Sequence, residues 1–434
     1  MMQDRTYSPT RATALQLDSY YRMTKLLFVL VALAAFAVYW LSSFALVARN
    51  GTQHFHVDTW LYTELAEPNV FDRILPESQV ARIFRFHPVT VVLAAGWMKM
   101  VSPLTAWFTP VQLLKALFAA IGALGVWSAL WAFAALLPRR YALLWGAIYA
   151  SSLGIWYFSS IEESKIVTAT LSALYIATYL RLRENWTRRG ALQLTAILLT
   201  ACLNEITAAF LVAIPAIDTL VQERWEVLKR WWIVTHAMAA PFALALLEGV
   251  IRVWGSTAGT HPEGANHFSM FLWYASQTQF TLNSVYYFLS SWLFFSIAAP
   301  ERFADHWANP SIHFGGIFTP GLADYVAAPL PAGLVVLLGV LLGVILLAQK
   351  RFAIVRNVPA IMLALAAYAL VRAAFFFIFN GKENMLFSPS VTLAHLLLLA
   401  IPFAATRLPE KAKVTLLALI AAALFVNNGL FIIG

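Results

Sequence analysis

Runs of roughly twenty apolar residues recur along this chain, and they constrain the fold more than any other feature. The first, Leu26–Ala48, is followed by Val111–Leu137, Leu330–Gln349, Pro359–Phe379 and Val414–Ile433. Each is about the length an α-helix needs to cross the hydrocarbon core of a bilayer. Hydrophobic residues make up 61% of the 434 and charged residues only 12%, against about 25% charged in soluble domains. The expected fold class is an all-α polytopic membrane protein. A formal net charge of +9 then calls for no nucleic-acid partner, because basic residues collect in cytoplasmic loops. The single cysteine, Cys202, excludes an intramolecular disulfide and a cysteine-based metal cluster, and its apolar surroundings suit a buried, inert thiol.

The basic residues set the expected topology. Arg5, Arg11, Arg22 and Lys25 keep residues 1–25 in the cytoplasm. Leu26–Ala48 exceeds the h-region of a cleaved signal peptide, about 7–15 residues, and reads as a retained signal anchor. Residues 49–108 form a first outer loop, within which His87–Val101 is short, carries Lys99 and lies between Pro88 and Pro103. Crossing there would put Arg139 and Arg140 outside, so this stretch is expected to be re-entrant or interfacial.

Val111–Leu137 returns inward, Tyr141–Ser159 goes out, Ile161-Glu162-Glu163 makes an outer turn, and Ser164–Leu180 returns to the basic loop of Arg181, Arg183, Arg188 and Arg189. The next loop, with Arg224, Lys229 and Arg230, is also basic. Two short helices, Ala191–Leu203 and Ile206–Val221, reconcile the two loops with Asn204-Glu205 at an outward apex. Trp232–Val253 goes out with a kink at Pro241, completing an N-terminal transmembrane module over residues 26–253. An outer region over 254–328 is expected to carry interfacial helices. A C-terminal transmembrane module over 329–434 places Lys350, Arg351, Arg356, Arg407, Lys411 and Lys413 inside. The expected total is about 11 crossings.

Ionisable residues in membrane helices are costly and mark function by default. Here they gather on one side: Lys115, Glu162, Glu163, Lys165, Glu205, Glu248, Arg252, Arg372, Lys382 and Glu383 all map to outer halves of helices or outer turns. Asp58 and Glu64, just past the first helix, share that side. Lysine and arginine can snorkel to headgroups, whereas the shorter carboxylates of Glu205 and Glu248 cannot reach far. Transfer of a group from a lipid carrier needs a carboxylate to take a proton from the attacking hydroxyl and a cation to neutralise the departing phosphate. Asp58 suits the first role; Arg372 and Lys382 suit the second. Taken alone, Asp58 equally suits an N-cap for a helix starting at Thr59.

Beyond this chemistry, the segment Asp58-Thr59-Trp60-Leu61-Tyr62-Thr63-Glu64-Leu65-Ala66 resembles the first motif of GT-C-type membrane glycosyltransferases, the superfamily of protein O-mannosyltransferases and lipid A aminoarabinose transferases. Asp58, Tyr62 and Ala66 stand in register, with Thr59 where Glu is usual. Phe86-His87-Pro88-Val89 is similar to a following His-Pro motif, and Ser159-Ser160-Ile161-Glu162-Glu163-Ser164 resembles a Ser-x-x-acid lead into the fourth helix. Lys382-Glu383-Asn384-Met385-Leu386-Phe387-Ser388-Pro389 is loosely similar to a later basic, aromatic segment. The resemblance implies a GT-C-like fold and inverting transfer of a sugar from a polyprenyl-phosphate donor to a protein, lipid or glycan acceptor at the outer face of a bacterial inner membrane. It implies Asp58 as base and Glu162 or Glu163 as second acid, the sequence not choosing between them. Tyr62, His87, Glu205, Arg372 and Lys382 are then expected to contact substrate. No metal is obligatory in that chemistry, with room for a divalent cation between Asp58 and a second acid. Two other functions suit the same features: a transporter or flippase of lipid-linked glycans, and a non-catalytic scaffold of GT-C-like fold.

Overall fold

The computed structural model describes residues 11–50, 62–67, 79–183, 185–223, 231–254, 271–272, 275–276, 281–282, 285, 288–289, 291–299, 358–380 and 384–433. Among them every regular element is helical. The α-helices are α1 (Arg11–Asn50), α2 (Gln79–Phe86), α3 (Pro88–Val101), α4 (Pro110–Leu136), α5 (Arg139–Ser151), α6 (Leu153–Ser159), α7 (Lys165–Leu182), α8 (Arg188–Asn204), α9 (Ala213–Glu223), α10 (Trp231–Ala237), α11 (Ala239–Trp254), α12 (Val358–Asn380), α13 (Asn384–Phe387), α14 (Thr392–Ala405) and α15 (Glu410–Ile433). Six stretches among the described residues are long and apolar enough to cross a membrane: Met23–Leu46, Pro88–Ala106, Pro110–Leu136, Ala360–Phe379, Ser388–Ala405 and Glu410–Ile433. The chain is an integral membrane protein on that ground. The expected crossing over Leu330–Gln349 and most of the outer region 254–328 lie outside the described residues.

Helix α4 is the hub, packing against α1, α5, α6 and α7. Its start is fixed locally. Thr109 and Gln112 form a reciprocal capping box, Gln112 N donating to Thr109 Oγ1 (3.3 Å) and Thr109 N to Gln112 Oε1 (2.8 Å), with Pro110 in the first turn. Apolar burial does not drive helices together in lipid, so close backbone approach matters instead. At Gly125 an added Cβ would sit 2.8 Å from Thr170 Oγ1 of α7, and that hydroxyl donates to Ile121 O (2.9 Å). Helix α1 buries Phe28, Ala35, Tyr39, Ser42 and Leu46, spaced by seven, four, three and four residues, and turns Leu26, Leu30, Leu33 and Leu41 outward. Tyr39 donates to Ala150 O (2.7 Å), and Trp156 Nε1 donates to Ser42 Oγ (2.9 Å).

The stretch from His87, expected to be re-entrant or interfacial, is a 14-residue α-helix (Pro88–Val101) prolonged by a five-residue 3-10 turn (Ser102–Ala106), about 31 Å long at ~1.5 and ~2.0 Å per residue. Thr90 near its start meets Asn204, and Trp97 donates to Leu113 O in the first turns of α4 (2.7 Å). Two other expectations change in detail. Tyr141–Ser159, expected as one helix, is broken at Ser152. Leu153 N and Gly154 N donate instead to Ile297 O (3.0 Å) and Ser296 O (3.3 Å). The 296–299 segment is therefore drawn into the bundle rather than laid over it. Asn428 of α15 secures it: its Nδ2 donates to Ser151 O (2.6 Å) and Ile297 O (2.9 Å), while its Oδ1 accepts from Ala299 N (2.8 Å). Irregular backbone is tolerated at such depth only where protein satisfies it. The kink expected at Pro241 is a full break at Met238, which puts Pro241 in the first turn of α11, where no N–H is needed.

Helices α8 and α9 flank a reversal. Asn204 and Glu205 lie beside Ser164 and Lys165 at the start of α7, whereas Asp218 lies beside Tyr179 and Arg183 at its other end. The chain thus runs antiparallel to α7 through α8, turns at Glu205, and runs back through a 3-10 stretch (Ile206–Val212) and α9. At the far end the buried Asp218 carboxylate accepts from Tyr179 (2.5 Å), Gln222 (2.9 Å) and both Nε and Nη2 of Arg183 (3.1 and 3.0 Å).

Candidate functional site

Charged residues expected on one side converge at the end of the bundle where α4 and α7 begin. Glu205 is the centre. Its backbone is extended (φ −155°, ψ 111°) because the break between α8 and the 3-10 stretch falls on it, and this frees its side chain to turn inward. One carboxylate oxygen is engaged by Arg372 Nη2 of α12 and by Thr207 Oγ1, and the other lies 3.9 Å from Lys165 Nζ. Two cations flank one carboxylate, so the group keeps one positive charge in excess. All three side chains are nearly or wholly out of solvent, with Arg372 at 0% exposure. Buried charge on this scale persists only when paired.

Rings hold the cations in place. Lys165 Nζ lies 4.3 Å from the centroid of Phe387, and the Arg372 guanidinium lies 5.0 Å from that of Phe376. Phe376 and Phe387 are themselves stacked, 3.9 Å apart and 14° from parallel. The cations therefore sit against two contacting aromatic faces, a geometry that favours positive charge. Arg372 has donors left over: among the described residues, its Nε and Nη1 find no hydrogen-bond partner.

The other expected residues surround this centre. Glu162 pairs with Lys115 of α4 at 3.8 Å, both buried. Glu163 points differently: its Oε1 accepts from Ser164 N (2.9 Å) and Ser164 Oγ (3.0 Å) at the head of α7. His87 precedes α3, and its Nδ1 lies 2.5 Å from Asn204 O. Asn204 Oδ1 accepts from Thr90 N (3.1 Å) and Thr90 Oγ1 (2.7 Å), and its Nδ2 donates to Thr168 Oγ1 (3.0 Å) and Ser164 O (3.4 Å). That one amide ties α3 and α7 to the residue beside Glu205.

Tyr62 is buried at the head of a short 3-10 turn (Thr63–Ala66) that packs on α3 and α4. Asp58 and Lys382 lie outside the described residues. The structure gathers Lys165, Lys115, Asn204 and the Phe376–Phe387 pair around the same end of the bundle as Glu205 and Arg372. Both lysines carry a visible signal, a cation within the first two turns of an otherwise apolar helix, whereas the ring pair joins helices far apart in sequence and leaves no local trace. Among the described residues no group of three or more histidine, cysteine, aspartate or glutamate side chains is placed to hold a metal ion. No protein-family model matches the chain, and no curated protein matches it.

Proposed function

We propose that the chain is a GT-C-type glycosyltransferase of a bacterial inner membrane, its N-terminus cytoplasmic and its charged end at the outer face. It takes a sugar from a polyprenyl-phosphate donor and passes it, with inversion, to an acceptor hydroxyl or amine on a protein, lipid or glycan. Asp58 takes the acceptor proton as the acceptor atom attacks the anomeric carbon. The bond from that carbon to the phosphate oxygen breaks, and polyprenyl phosphate leaves with the electron pair. The observation that carries this reading is the Lys165–Glu205–Arg372 group, which holds one net positive charge and two open guanidinium donors in a buried setting. A leaving phosphate gains one negative charge, and a preorganised cation out of water stabilises that change most. Lys382 is the third cation assigned to the donor phosphate, Glu162 is the second acid, and Tyr62 and His87 bound the acceptor side.

A second reading, a flippase of lipid-linked glycans, draws on the helix breaks at Ser152 and Glu205, since interrupted helices are common in transporters. One assay separates the two. Purified protein is incubated with labelled polyprenyl-phosphate sugars and candidate acceptors, alone and in sealed vesicles. Transfer that disappears in Asp58→Asn with an unchanged unfolding temperature supports the enzyme. Full transfer by that variant would remove Asp58 from the mechanism, and donor translocation without transfer would favour the flippase.

A further inference from the structure

A second site lies at the opposite end of the bundle, distant from the charged centre and unused by the proposed reaction. A cleft of ≈ 410 Å³ opens between α4, α7 and α8. Its walls are apolar: Trp127 and Trp131 from α4, Leu174 from α7 and Ile197 from α8, each half-buried. Its mouth is polar, with Arg181 in the last turn of α7 and Gln193 in the second turn of α8, both exposed. Lys115 and Trp131 stand sixteen residues apart on α4, so about 24 Å of helix separates the cleft from the charged centre.

Three features together define an occupant. The cleft has an apolar floor and one cationic edge, which matches an amphiphile with an anionic head and a hydrocarbon tail. Arg181 is held over the Trp131 ring, 4.9 Å from its centroid, so the guanidinium is aimed at the mouth rather than free to swing away. Among the described residues it makes no ion pair, in contrast to Arg183, whose charge is taken up by Asp218. Arg188 and Arg189, both exposed at the start of α8, add positive charge on the same side. The wall formed by α4 belongs to a stretch long and apolar enough to cross a membrane, where the available amphiphile is lipid, and a tryptophan-lined, arginine-edged opening suits the headgroup level.

We propose that this cleft binds one anionic glycerophospholipid from the leaflet facing the 183–189 loop, its phosphate at Arg181 and Gln193 and one acyl chain along Trp127, Leu174 and Ile197. The site does not depend on the glycosyltransferase reading. Native mass spectrometry of the purified full chain with phosphatidylglycerol or phosphatidylcholine tests it. Wild type is expected to retain one phosphatidylglycerol more tightly than phosphatidylcholine, and Arg181→Gln to weaken that binding about fivefold, the effect of one cation near a lipid surface. Ala196→Trp, which fills the cleft from an exposed position, is expected to abolish retention of both lipids. Lys411→Gln, exposed in the first turn of α15, is expected to leave binding unchanged. The unfolding temperature of each variant is measured alongside, so that if Arg181→Gln fails to fold, the Ala196→Trp result decides. Equal retention of the two lipids by wild type, undiminished binding in Ala196→Trp, or displacement of bound lipid by inorganic phosphate would overturn the proposal.

Discussion

Arg372 reaches Glu205 across 167 residues of sequence, and its guanidinium meets that carboxylate with no part of its side chain in solvent. The contact joins α12 to the break between α8 and the 3-10 stretch, so the two modules expected from the sequence share one electrostatic centre. Removing Glu205 strands two buried cations, whereas removing Arg372 leaves the carboxylate paired with Lys165. Glu205→Leu is expected to lower stability by about 3–5 kcal/mol and Arg372→Leu by less, whereas the double variant, which leaves Lys165 alone unpaired, recovers part of the Glu205→Leu loss. Thermal unfolding in detergent checks the recovery. Under the proposed mechanism, sugar transfer is expected to stay lost in the double variant, because it lacks the cation assigned to the leaving phosphate.

Glu162 and Glu163 are neighbours in sequence with different surroundings. Glu162 faces Lys115, and Glu163 closes on Ser164. Glu162→Gln is therefore expected to reduce transfer by about 100-fold or more, as loss of an acid–base partner does. Glu163→Gln keeps an acceptor for the Ser164 N–H and is expected to reduce transfer far less than Glu162→Gln. Initial rates for the two variants would settle which acid acts, and the reverse order would reassign the role to Glu163.

The α4–α7 contact depends on a missing side chain. Gly125→Ala places a methyl 2.8 Å from Thr170 Oγ1, which is expected to cost about 1–3 kcal/mol by overpacking. Combining it with Thr170→Ala removes the obstructing oxygen, at the cost of its bond to Ile121 O. The pair is expected to unfold at a higher temperature than Gly125→Ala alone. No such recovery would mean that the strain lies elsewhere.

Asn428 serves three backbone groups at once, from Ser151, Ile297 and Ala299. Asn428→Leu has nearly the same volume and none of that bonding. Each buried group left unsatisfied costs about 1–3 kcal/mol, so the variant is expected to express poorly and to become protease-sensitive within 296–299. Mass mapping of limited-proteolysis fragments checks the location.

How much of this could be read beforehand depends on the range of the interactions. Apolar runs are local: helices over Val111–Leu137 and Val414–Ile433 correspond closely to α4 and α15, whereas Leu26–Ala48 is only part of α1, which already starts at Arg11 in the polar segment. The reversal at Asn204-Glu205 was also legible, because two basic loops on one side leave an even number of passages between them. The partners of the charges were not. Lys165, Glu205 and Arg372 each announce themselves as costly residues, but nothing in their spacing says that the three meet. The break at Ser152 was hidden for a related reason: the groups that satisfy its backbone are distant in sequence, Ile297 and Ser296 accepting from Leu153 N and Gly154 N, and Asn428, 277 residues away from Ser151, donating to Ser151 O. The fourth-helix acid pair was legible as a pair, and only three-dimensional contacts separate its members.

The amide of Asn204 carries a mechanical consequence. Its oxygen is taken by Thr90 of α3 and its nitrogen by Thr168 and Ser164 at the head of α7, so turning the amide over would break every one of these bonds. The peptide that follows it presents Glu205. A displacement of α3 relative to α7 would therefore strain the one amide that joins them, immediately beside the residue whose carboxylate lies between Lys165 and Arg372.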